Sequence, residues 1–166
     1  MGGKKVEDKI GVIENLITKC DKLLVGGGMC FTFLKAKGYN VGNSIVDDNN
    51  IDFCKKMLSE YGDKIVLPVD IITDKGARKV SDIKDNECGY DIGNETIKIF
   101  SDILKDAKRC IINGPMGVYE DKKYSNGTKK VYTVLKDNKV KTLVGGGDGA
   151  SSVNNLGFKG VFYHVS

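Results

Sequence analysis

The segment from Lys141 to Val153, Lys-Thr-Leu-Val-Gly-Gly-Gly-Asp-Gly-Ala-Ser-Ser-Val, constrains this chain more than any other. Apolar residues run into three glycines, an acid and then small residues able to open a helix, which reads as strand, tight turn and helix N-terminus. Glycines bring backbone N–H groups close to an anion because no Cβ intervenes, and the helix dipole adds partial positive charge. Asp148 stands where it can hold a metal ion carried by that anion. A shorter version, Leu24-Val-Gly-Gly-Gly28, again follows an apolar run and precedes a helix-like segment. A lone glycine run can simply connect a strand to a helix. Two of them plus the acid favour a site.

The rest of the chain alternates in the same way. Gly2-Gly3-Lys4-Lys5 reads as a turn, fed by a strand expected before Met1 and followed by a helix over Val6–Thr18 with Ile10, Ile13, Leu16 and Ile17 on one face. Lys5 and Lys9 share a face near that helix start, either as solvated cations or as phosphate contacts. A strand over Lys22–Val25 leads through Gly26–Gly28 into a helix that Gly38 ends; a second helix spans Ile51–Tyr61 after a polar loop. Ile65–Ile72 is a strand that Pro68 interrupts, and residues 73–93 form a short irregular β excursion. Asn94 is expected to cap the next helix. The strand at Cys110 ends in the rigid loop Asn113-Gly-Pro-Met-Gly-Val-Tyr-Glu120, and a helix over Thr128–Lys136 precedes the opening motif. Val161–Val165 is expected as a last strand, with a helix after Ser166. Such alternation predicts an α/β fold, a Rossmann-like, doubly wound, mostly parallel sheet in three αβα layers. Its ligands bind beyond the carboxyl ends of the strands.

A chain of 166 residues suits one domain able to bury roughly 70% of its unfolded surface. The net charge of +4 is spread among interspersed lysines and acids, a solvated surface rather than a nucleic-acid footprint. Five scattered cysteines with no C-x-x-C predict reduced thiols, not zinc. His164 is the only histidine and lies in a strand-like stretch, so a histidine-activated nucleophile is disfavoured. No apolar run is long enough for a membrane span.

The P-loop pattern and the protein-kinase signatures are absent. Gly145-x-Gly147-x-x-Ala150 fits a loose dinucleotide fingerprint, a weak match because the position of the ribose-binding acid, about 20 residues on, falls past Ser166. A backbone phosphate cradle, two lysines and one metal-holding acid suit phosphoryl transfer, where catalysis is positioning and charge neutralisation.

These residues resemble the phosphoglycerate kinases, in their C-terminal nucleotide-binding domain. Gly2–Ile10, Gly26–Leu34, Leu67-Pro-Val-Asp70, Asp91-Ile-Gly93, Asn113–Val118 and Gly145-Gly-Gly-Asp148 occur in the family's order. The resemblance implies reversible phosphoryl transfer between 1,3-bisphosphoglycerate and ADP, giving 3-phosphoglycerate and ATP in glycolysis, with Mg²⁺ on the nucleotide. It implies that Gly3, Lys5 and Lys9 meet the phosphates, with Lys5 and Gly147 acting on the transferring group. Gly27 and Gly28 would border the adenine, while Asn113, Pro115, Gly117, Val118 and Glu120 would hold the nucleoside. Gly147, Asp148 and Gly149 would face the phosphates, and Asp148 would carry the metal. Residues 1–166 would then be an incomplete C-terminal domain, lacking an N-terminal domain that binds the phosphoglycerate and a glycine-rich C-terminal segment. Alone it is expected to be inactive; the complete protein is expected to be a cytoplasmic monomer with no nucleic-acid or membrane partner. A non-catalytic nucleotide-binding module and an NAD-binding domain are the alternatives. Three positions depart from the family: Gly149 replaces a hydroxyl residue, Asn94 a proline and Lys4 a small residue.

Overall fold

A computed structural model describes residues 1–166. A single 3₁₀ turn, Glu7–Lys9, opens α1 (Ile10–Ile17), which buries Ile13 and Ile17. Then follow β1 (Leu23–Leu24), α2 (Cys30–Ala36), α3 (Ile51–Tyr61) and β2 (Ile65–Val66). The chain continues through β3 (Asp70–Thr73), β4 (Gly76–Lys79), β5 (Gly89–Ile92) and α4 (Asn94–Leu104). It closes with β6 (Arg109–Asn113), α5 (Asn126–Asp137), β7 (Lys141–Gly145), α6 (Gly147–Asn155) and β8 (His164–Val165).

β1 pairs with β2, and β6 with β7 and then β8, all in parallel. The first two residues join these ladders: the Met1 amine donates to Leu24 O at 2.7 Å, and the Gly2 N–H to Asn113 O at 2.8 Å. Helices flank the strands in the expected three-layer αβα arrangement. One core lies among α1, α2, α3 and β1, built on Ile13, Phe31, Phe33 and Met57; the other lies among α4, α5, β6 and β7, built on Phe100, Tyr132, Leu135 and Val144. Burial alternates along β7, so Leu143 and its register partner Ile111 are exposed while Thr142 and Val144 are buried.

Pro68 does interrupt the strand around it: β2 and β3 belong to different sheets, as a residue without an N–H dictates. The irregular excursion is a three-stranded antiparallel sheet with β3 between β4 and β5. Buried Glu87 holds its far end, accepting from Thr73 Oγ1 at 2.8 Å and Lys84 N at 2.9 Å and pairing with Arg78 at 3.0 Å.

Two local expectations are corrected. Asn94 does not cap α4; it is the first helical residue, after Gly93. The cap is Asp70, on β3, whose carboxylate accepts from Glu95 N at 3.0 Å and Thr96 N at 2.9 Å. A carboxylate from a neighbouring strand thus satisfies the donors that the sequence-local asparagine leaves open. The last strand is also shorter than expected. Phe158 and Phe162 both pack edge-to-face with Tyr132, their ring planes nearly perpendicular to it and their centroids 5.4 and 5.3 Å away, and the backbone pairs with β7 only from His164. All five cysteines are unpaired. No helix is long and apolar enough to cross a membrane.

Candidate functional site

Four glycine-rich strand ends meet at the carboxyl edge of the parallel strands. Three of them interlock through their backbones. Gly3 N–H donates to Pro115 O at 3.3 Å, Gly27 N–H to Met116 O at 2.9 Å, and Met29 N–H to Gly3 O at 3.1 Å. No side chain fits between them: a Cβ on Gly27, which has φ +65°, would stand 2.7 Å from both Gly3 N and Pro115 O. One on Gly28 would meet Ile45 Cγ2 at 2.8 Å. The glycines here are required by mutual approach of the chain to itself.

The fourth end, after β7, is built differently. Gly146, at φ +87°, leads into α6, whose first backbone bond runs from Ala150 N–H to Gly146 O at 3.0 Å. The N–H groups of Gly147, Asp148 and Gly149 are therefore free, at the positive end of the helix dipole. Nothing lies within 4 Å of where a Gly147 side chain would begin. Asn113, the last residue of β6, links this turn to the other three. It is the register partner of Gly145, and its Oδ1 accepts from the Lys9 ammonium. A donor-rich notch results, with a fixed cation on one wall and free amides on the other.

The expected residues thus fall into two groups. Gly3, Lys9, Gly27, Gly28, Asn113 and Pro115 form the interlocked floor. Lys5, Val118, Glu120 and Asp148 are exposed, and none of the three charged residues among them forms an ion pair within the chain. Gly149 is buried; a Cβ there would stand 3.1 Å from Val144 Cγ1, so a hydroxyl residue at this position needs only a small shift. No group of three or more histidine, cysteine or carboxylate side chains could cage a metal. Asp148 is the carboxylate at the first turn of α6, and a single carboxylate joined by phosphate oxygens and water suits a hard divalent cation such as Mg²⁺.

Two acids have contacts that their local sequence does not disclose. Asp47 lies in the polar loop before α3, yet it is buried and its Oδ2 accepts from Glu7 N at 2.9 Å and Asn50 Nδ2 at 2.8 Å, holding the turn that carries Lys5. Asp91 lies behind the 113–118 loop, 3% exposed, accepting from Gly127 N and Ile92 N at 2.9 Å each. Both were hidden because their partners lie 40 and 36 residues away.

The family model described as phosphoglycerate kinase matches residues 1–166. The chain is 47% identical over 178 residues to the phosphoglycerate kinase of Corynebacterium kroppenstedtii, covering all of this chain and 44% of that protein. It is 45% identical over 174 residues to that of Lactobacillus delbrueckii subsp. bulgaricus, of which it covers 43%. Among solved structures, phosphoglycerate kinase from Coxiella burnetii superposes with a TM-score of 0.96 at 30% identity, over 99% of this chain and 45% of that one. The Pyrococcus horikoshii enzyme gives 0.85 at 28% identity over the same shares. The chain thus spans less than half the length of these relatives.

Proposed function

Because this chain belongs to the phosphoglycerate kinase family, we propose that it forms the ADP- and ATP-binding half of an enzyme that moves a phosphoryl group reversibly between 1,3-bisphosphoglycerate and ADP. The observation that supports this is the notch itself: three unbonded amides at the start of α6, next to the strand end where Asn113 holds Lys9. Oxygens of the transferring group gain charge-assisted hydrogen bonds from Gly147, Asp148 and Gly149, while Lys5 and Lys9 neutralise the charge that develops. Gly3 lets the phosphates approach the turn. Asp148 would hold the Mg²⁺ that enters with the nucleotide, which would offset phosphate charge there. Gly27 and Gly28 offer a side-chain-free backbone against which an adenine lies, and Asn113, Pro115, Gly117, Val118 and Glu120 wall the nucleoside.

The phosphoglycerate half is assigned elsewhere. Arg78 is committed to Glu87, and Arg109 stands at the start of β6, the end opposite Asn113. Neither guanidinium is placed to grip an acyl phosphate. Residues 1–166 are therefore read as a C-terminal domain that needs a second domain to close over the substrates and exclude water. On this reading the complete protein works as a cytoplasmic monomer, and the chain alone binds nucleotide weakly without turnover.

Calorimetric titration of the purified chain with Mg²⁺ and ADP, beside Asp148→Ala and an NAD control, tests the assignment. Metal-dependent ADP binding that weakens in Asp148→Ala, with none for NAD, is expected. NAD binding at the same site would make the loose fingerprint at Gly145–Ala150 the correct reading, and a folded chain that ignores ADP would refute the nucleotide site.

A further inference from the structure

Asp91 is a buried carboxylate without a counter-cation: it enters no ion pair, and its hydrogen bonds come from two backbone amides. Gly127 is the second residue of α5, whose N-cap residue, Ser125, makes no side-chain cap bond. The Asp91 carboxyl of β5 therefore serves as the remote acceptor at the α5 N-terminus. Two glycines are pressed onto it. A Cβ on Gly117 would stand 2.5 Å from Asp91 Oδ1 and 2.7 Å from Tyr90 O, and a Cβ on Gly127 would also collide with Oδ1. The neighbours of Asp91 and Gly127 hold the 113–118 loop at two further points: Val118 N–H donates to Tyr90 O, on β5, at 2.9 Å, and Met116 N–H to Thr128 Oγ1, on α5, at 3.1 Å.

We propose that Asp91 is a positioning residue of the nucleotide site, setting the distance between the Gly117–Val118 wall and the first turn of α5 through its bond to Gly127 and its contact with Gly117. This rests on reading Gly117 and Val118 as part of the nucleoside wall. Glu87 provides the contrast. It is another buried acid near the same antiparallel sheet, but its partners Thr73, Lys84 and Arg78 all lie in the excursion and none in the 113–118 loop.

The test uses Asp91→Asn and Asp91→Ala, with Glu87→Gln as a control, at a temperature where each variant is folded by circular dichroism. Two quantities are read: hydrogen exchange at the Val118 and Gly127 amides without ligand, and the Kd for ADP with Mg²⁺. Asp91→Ala is expected to speed both amides and raise Kd at least about 10-fold, since an unbraced wall must be ordered by the ligand. Asp91→Asn retains the shape and one acceptor, so it should give a smaller change in both. Glu87→Gln should lower stability while leaving both readouts near those of the unaltered chain. Unchanged Val118 exchange and Kd in Asp91→Ala would overturn the proposal, as would an equal change in Glu87→Gln. If the unaltered chain binds no ADP, the nucleotide reading fails instead, and Val118 exchange still decides whether Asp91 sets the loop.

Discussion

Two runs of Leu-Val-Gly-Gly-Gly, at 24–28 and 143–147, have the same sequence and opposite surroundings. In the first, Gly26, Gly27 and the following Met29 spend their N–H groups on Met1, Met116 and Gly3. In the second, a Cβ on Gly145 or Gly146 would find no neighbour nearer than 3.7 Å, and the amides that follow are free. The first run is glycine because the chain crosses itself there. The second stands where no other segment approaches so closely, and so stays open to whatever binds. Preorganisation needs both, since an open anion notch holds its geometry only if its floor cannot yield.

This contrast can be broken in a graded way. The largest effect concerns the brace behind the floor. Burial pushes the Asp91 carboxyl up from 3.8 to about 7 against the opposing pull of the Gly127 and Ile92 amides. Between those values the folded chain holds a proton that the unfolded chain has lost, so this contribution is complete below pH 3.8 and declines until about pH 7. At roughly 1.4 kcal/mol per pH unit it amounts to about 4 kcal/mol. Urea unfolding from pH 4.5 to 8 should show that decline in the unaltered chain relative to Asp91→Asn; parallel pH profiles would contradict it.

Next comes Gly27→Ala, which places a methyl against two backbone atoms at a positive φ and should cost about 3 kcal/mol of stability by chemical denaturation. Gly147→Ala, with open space around it, should stay within about 1 kcal/mol. Equal losses at the two positions would erase the distinction between the runs. Asp148→Ala should leave stability within about 0.5 kcal/mol while weakening Mg²⁺-dependent ADP binding about 10-fold, seen calorimetrically. Smallest is Gly149→Ser. A hydroxyl near the start of α6 against a slight displacement of Val144 should shift thermal stability by a few tenths of a kcal/mol, its sign decided by scanning calorimetry.

Much of the fold was written in local patterns. The α3 boundaries at Ile51 and Tyr61 follow from the apolar spacing, the break at Pro68 from a missing donor, and the order of strands, turns and helices from the glycine runs. Asn94 shows the limit. It is a favourable capping residue in the expected place, yet Asp70, 24 positions earlier, already occupies the amides of Glu95 and Thr96. Local propensity cannot anticipate a competitor delivered by a different strand.

The same boundary runs through the site. Glycine, lysine and aspartate at strand ends disclosed the family, because backbone access and charge are properties of residue type. Which glycines the chain itself closes over and which stay open, which lysine is held by Asn113, and where the Asp47 and Asp91 carboxyls find their partners were settled only in three dimensions. Those distinctions depend on what approaches from distant segments: the two Gly-Gly-Gly runs are chemically identical until Gly3 and Pro115 close over one and leave the other open.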